Sequence, residues 1–143
     1  MLNHKEASLS QLVGPNRAVA IVDSLIIHGK EIADRLEELE VKSIQFPHLN
    51  CLEKDKRPMA AIICCMRQVN SAEDIIRPYA SARKINCPLI VMPTQTRMSA
   101  AIQQQIARTD GKDKTGIIVE LVPKLDTDQA IALLTQGLRQ MAK

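Results

Sequence analysis

Residues 17–23 read Arg-Ala-Val-Ala-Ile-Val-Asp, from Arg17 to Asp23, and this short run decides how the chain folds. Its apolar residues follow one another without polar alternation, which suits a strand buried on both faces, as in a parallel sheet. The stretch that follows has the opposite character. Leu25, Ile32, Leu36 and Leu39 recur at helical spacing, while Lys30, Glu31, Asp34, Arg35, Glu37 and Glu38 occupy the other side. Residues 25–40 are therefore predicted to form an amphipathic helix.

The alternation continues downstream. Val41 to Phe46 alternates apolar and polar residues and is bounded by Pro47, which predicts a second strand. His48 to Arg57 is polar and lacks periodicity, so any helix there is brief. Met59 to Met66 (MAAIICCM) is a third buried strand. Ser71 can cap the next helix, with Glu73 and Asp74 favourable in its first turn and Ile75, Ile76 and Tyr79 on its apolar side. Pro78 falls inside that pattern and implies a kink or a late start. Pro88 to Met92 is a fourth strand, ended by Pro93. Met98, Ala101, Ile102 and Ile106 mark another helix, with Gln103, Gln104 and Gln105 solvated, and Asp110-Gly111 is a turn. Thr115 to Val122 is a fifth strand, stopped by Pro123. Asp126, Thr127 or Asp128 caps a last helix whose buried face is Ala130, Ile131, Leu134, Leu138 and Met141.

Upstream of all this, residues 1–16 end in the turn signal Gly14-Pro15-Asn16. Ser8 to Val13 suits either a short helix or a loose arm. The predicted organisation is an arm over 1–16 and one domain over 17–143. Strands alternating with helices make it an α/β domain, a parallel sheet covered on both faces with right-handed crossovers.

Bulk properties exclude several classes. At 143 residues, 45% hydrophobic and 24% charged, the chain has the make-up of one globular domain. Phe46 and Tyr79 are its only aromatic residues, so the core is aliphatic and stacking platforms for single-stranded nucleic acid are missing. The net charge of +3 comes from 19 basic and 16 acidic residues interleaved along the chain. No concentrated basic face appears, which counts against direct nucleic-acid binding. Cys51, Cys64, Cys65 and Cys87 form no C-x-x-C or Cys/His pair, and read as small buried hydrophobes in a reducing cytosol rather than zinc or redox sites. Cys64 and Cys65, adjacent in a strand, point to opposite faces. Cys51 and Arg57 share the C-x5-R spacing of tyrosine phosphatases, but Glu53 and Asp55 between them would repel phosphate and no glycine shapes a cradle. No apolar stretch approaches the ~18 residues of a membrane span, and the first residues lack the apolar core of a signal peptide. The expectation is a soluble cytoplasmic protein with no membrane partner. His4, His28 and His48 have no catalytic partner at readable spacing, and no G-x-G-x-x-G, P-loop or G-x-S-x-G occurs. Neither an enzyme nor a cofactor or metal is expected.

In doubly wound sheets, ligands gather at the carboxyl ends of the strands. Those ends are predicted at Asp23-Ser24, Cys65-Met66-Arg67, Pro93-Thr94 and Val122-Pro123-Lys124. Taken in that order, residues 17–143 resemble the receiver domain of bacterial response regulators. Ala-Ile-Val-Asp-Ser is similar to the family's first strand, Pro88-Leu-Ile-Val-Met to its fourth, and Val122-Pro-Lys-Leu-Asp-Thr-Asp to the turn before its last helix. The resemblance implies a single doubly wound, flavodoxin-like five-stranded parallel sheet in the order 2-1-3-4-5. It also implies a pocket built from Asp23, Ser24, Cys65, Thr94 and Lys124.

That pocket departs from the family's pattern. Receivers take a phosphoryl group on a third-strand carboxylate, and here that strand ends in Cys64-Cys65-Met66. Ser24 stands where a second acidic residue would help hold Mg²⁺, Thr94 comes one residue late, and the usual Lys-Pro is inverted to Pro123-Lys124. The expectation is a non-phosphorylatable regulatory module of signal transduction or transcription regulation. By resemblance it binds a protein partner or a second copy through residues 97–108 and 115–140, with Arg97, Arg108 and Arg139 setting the register. The chain ends without an output domain, which suits a stand-alone adaptor or an isolated domain. Two alternatives stand beside this. One is a small-ligand sensor in which Arg67 and Lys124 meet a nucleotide or another anion. The other is an uncharacterised enzyme on a flavodoxin-like sheet. Asp23 itself reads first as a helix cap beside Ser24 and only second as a metal or ligand contact.

Overall fold

Two apolar runs, β1 (Ala18–Asp23) and β3 (Met59–Met66), lie side by side in parallel and make the centre of the sheet. β2 (Ser43–Phe46) flanks β1 and β4 (Leu89–Pro93) flanks β3, both parallel, giving a four-stranded sheet in the order β2-β1-β3-β4. The computed structural model describes residues 7–23, 27–66, 73–93, 119–121 and 127–141. Beyond β4, the backbone of Val119–Leu121 runs parallel to it, with Val119 opposite Leu89 and Leu121 opposite Val91. The rest of the strand expected over 115–122, and the helix expected near 98–106, lie outside the described residues.

Strand periodicity divides the core in two. Val19, Ile21, Ala61, Ile63, Cys65, Ile90 and Met92 face one layer, formed by α1 (Leu9–Val13), α2 (Ile27–Glu38) and α5 (Thr127–Met141). Ala20, Val22, Ile62, Cys64, Leu89 and Val91 face the other, where Leu52 of α3 (Leu49–Lys54) and Ala82 of α4 (Glu73–Ile85) close the packing. Cys64 and Cys65 therefore enter different halves of the core. Every residue of β1 is buried, as its unbroken apolar run requires.

The short polar segment does contain a brief helix, α3, anchored by buried Leu52. α4 runs through Pro78, which is buried within it. Both α2 and α4 close on a left-handed residue, Glu40 with φ 62° and Asn86 with φ 64°. The amide of Val41 donates to the carbonyl of Leu36 at 2.9 Å, and that of Cys87 to Ala82 at 3.1 Å, so each terminus is a Schellman-type stop with a buried hydrophobic pair. This geometry corrects the expected apolar face of the first helix. Leu39 is 37% exposed because the helix has already ended, and Val41 takes the buried place beyond the turn. On α5, Ala130, Leu134 and Leu138 are buried as expected, whereas Ile131 and Met141 are half-buried.

The segment set apart as an arm holds a helix that packs into the same core. Ser8 caps α1 with a reciprocal pair: its hydroxyl accepts from the Gln11 amide, and Gln11 Oε1 accepts from the Ser8 amide at 2.8 Å. Leu9 and Val13 are buried beside α5. Five residues cannot sustain a helix alone, so this burial holds α1 in place. Among the described residues, no helix is long and apolar enough to cross a membrane.

Candidate functional site

The carboxyl ends of β1, β3 and β4 bring Asp23, Cys65 and Met92 into one row, Asp23 opposite Cys65 and Cys65 opposite Met92. Asp23 is only 5% exposed. Its Oδ2 accepts a hydrogen bond from the amide of Gly29 at 2.8 Å. Gly29 is the third residue of α2, where amides have no partner within the helix, so Asp23 caps the helix from the end of the preceding strand. The approach is close. A Cβ on Gly29 would stand 3.2 Å from Ile21 Cγ2, 3.3 Å from Asp23 Cβ and 3.4 Å from Gln45 Oε1. The absence of a side chain at residue 29 is what lets α2 settle this tightly on β1 and β2.

Cys65, 7% exposed, is the described group nearest in register to Asp23. Burial, and then the charge of Asp23, push its thiol up to about 12, and the same two causes act on Cys64. Thiols raised this far keep their protons at neutral pH and are poor nucleophiles there. Mg²⁺, which the receiver resemblance implies, requires several hard oxygen donors in near-octahedral array. At the described strand ends Asp23 is the one acidic side chain, and its neighbours Cys65 and Met92 offer only sulfur. Among the described residues no group of three or more His, Cys, Asp or Glu side chains could hold a metal. These residues do not fit the ion.

The remaining expected site residues divide clearly. Ser24, Arg67, Thr94, Arg97, Arg108 and Lys124 lie outside the described residues. Arg139 is on α5, and its Nη2 donates to the carbonyl of Ala7 at 3.1 Å, while its buried Nε has no acceptor. Its guanidinium thus serves the contact between α5 and the chain's own amino-terminal segment. Cys51 is exposed on α3, and Arg57 is held in a bidentate pair by Asp55 rather than turned to that thiol.

Two cavities of about 220 Å³ lie away from the strand tips. One is a groove between α3 and α4, lined by Leu52, Glu53, Ser81, Lys84 and Ile85. The other sits at the amino ends of β1, β3 and β4, lined by Leu12, Arg17, Ala60, Asn86, Leu138 and Met141. Sequence reasoning missed both, because their walls come from distant segments and carry no local motif. No protein-family model matches the chain, and no curated protein or solved structure matches it.

Proposed function

We propose that the chain is a receiver-like regulatory module that cannot be phosphorylated and that works through protein contacts, in signal transduction or transcription regulation. One observation carries this reading: β3 ends in Cys65 and Met66, and the carboxylate beside them, Asp23, is already bonded to Gly29. Receiver-type transfer needs a carboxylate oxygen to attack phosphorus and a divalent ion held by hard ligands. A neutral thiol supplies neither. In this reading the sheet is flavodoxin-like with five strands in the order 2-1-3-4-5, Val119–Leu121 belonging to the fifth. The contact face comprises residues 97–108 and 115–140, with Arg97 and Arg108 at its rim.

Two measurements test it. Incubation with a small phosphodonor and Mg²⁺, followed by intact-mass analysis, is expected to leave the mass unchanged; an acid-stable, hydroxylamine-sensitive acyl phosphate overturns the inactive pocket. Sedimentation at increasing concentration is expected to show self-association that Arg97→Glu and Arg108→Glu weaken. A monomer at every concentration, with no protein recovered by affinity capture that these changes displace, sinks the contact-module reading.

A further inference from the structure

The geometry points to a binding site for a small aliphatic carboxylate at the amino end of the sheet, opposite the strand tips on which the reading above rests. The cleft there is lined by a fixed cation, Arg17, by Asn86 and by several apolar residues. Arg17 stands just before β1, and its Nε donates to the carbonyl of Val13 at 2.9 Å while Nη2 donates to that of Leu12 at 2.6 Å. Those two bonds hold the guanidinium in one orientation at the rim. They neutralise none of its charge, and Arg17 forms no ion pair among the described residues. Nη1 has no acceptor there. The charge is felt at the cleft, where it opposes the rise that burial imposes on the neighbouring Cys87 thiol.

Asn86 supplies the second polar group. Its backbone is fixed in the left-handed region by the amide bonds that end α4, to Ala82 at 2.7 Å and Arg83 at 3.2 Å. Asn86 itself is exposed and lines the cleft. A guanidinium edge and an amide N–H₂ together match the two oxygens of a carboxylate. One cationic group balances a single negative charge, whereas a phosphate dianion would keep one uncompensated. Leu12, Ala60, Pro88, Leu138 and Met141 complete the lining, and their apolar groups can pack a short aliphatic tail. The volume of about 220 Å³ corresponds to about seven water molecules' share of liquid, which sets the tail at a few carbons. Arg17 is solvent-exposed, so the attraction is screened and binding should weaken with salt.

The test is a titration of the ¹⁵N-labelled chain with pentanoate and, separately, with neutral pentanamide. Pentanoate should shift the amides of Leu12, Arg17, Ala60 and Asn86 saturably in the millimolar range, with pentanamide at least tenfold weaker. Arg17→Gln should weaken pentanoate binding about tenfold and erase the preference over the amide. Because Arg17 also closes α1, a second variant leaves it intact: Met141→Trp fills the cleft and should abolish binding while the spectrum elsewhere stays native. Equal binding of acid and amide, an unchanged affinity in either variant, or shifts confined to the strand tips overturns the assignment.

Discussion

The backbone amide of Gly29 donates to Oδ2 of Asp23 across 2.8 Å, so the last residue of β1 caps the helix that follows it. A cap of this kind is worth about 1 kcal/mol, and a buried amide left without an acceptor costs about 1–3 kcal/mol. Asp23→Ala should therefore lose about 1–2 kcal/mol in urea unfolding. Asp23→Asn keeps a carbonyl oxygen for Gly29 and should lose less than half of that. Equal losses would mean that the charge of Asp23, rather than its acceptor, holds the helix.

Gly29→Ala sets two effects against each other. Alanine gains about 1 kcal/mol over glycine inside a helix. The new methyl group would meet Ile21 and Asp23 at 3.2 and 3.3 Å, and both are buried. Overpacking of that kind costs about 1–3 kcal/mol. The steric term wins, and the variant should be less stable by about 1 kcal/mol. A gain in stability would show that α2 can slide outward on the sheet.

How legible these features were in the sequence depended on their range. β1, β3 and β4 could be read because each is an unbroken apolar run, and period two correctly sent Cys64 and Cys65 to opposite faces. Asp23 could be read as a cap, but not as one reaching Gly29, six residues on, since nothing local shows that α2 packs closely enough. Leu39 was misplaced because a helical pattern continued past its stop: neither Glu40 nor Asn86 is the glycine that usually marks a left-handed terminus. Arg139 fitted an exposed rim by its charge alone, and its bond to Ala7 joins residues far apart in sequence. The cleft around Arg17 was invisible for the same reason.

The buried thiols make the fold sensitive to alkali. Cys64, Cys65 and Cys87 are each pushed up to about 12 from 9.0, chiefly by burial. Between those values an unfolded thiol has lost its proton while a folded one keeps it, so the folded state binds more protons and stability falls as pH rises. Each thiol contributes a slope of about 1.4 kcal/mol per pH unit across that window. Cys65→Ala should reduce the slope of unfolding free energy against pH by about that amount above pH 9. An unaltered slope would show that this thiol ionises freely in the folded chain.

Acid acts through a different pair. The Arg57 side chain and its amide, both bonded to Asp55, lower that carboxyl from 3.8 to about 2. The unfolded carboxyl takes up its proton first as pH falls, so the pair's contribution is complete above about pH 4 and lost towards pH 2. Arg57→Ala removes the side-chain bonds but keeps the amide bond, so the Asp55 titration, followed by carbon NMR, should rise only part of the way towards 3.8. High salt should move the wild-type value the same way, because the Arg57 side chain is exposed.

The two left-handed helix stops offer a graded test of backbone strain. Glu40 at φ 62° and Asn86 at φ 64° occupy nearly the same conformation, but they bear it differently. A glutamate in the left-handed region costs about 1–2 kcal/mol, whereas asparagine tolerates it and glycine adopts it freely. Glycine also widens the unfolded ensemble, which takes back part of the gain. Glu40 is exposed and has no hydrogen-bonded or ionic side-chain partner among the described residues, so Glu40→Gly should raise stability by about 0.5–1 kcal/mol. Asn86→Gly should change it by no more than about half as much. A loss of stability at residue 40 would mean that the Glu40 side chain makes a favourable contact that outweighs its backbone strain.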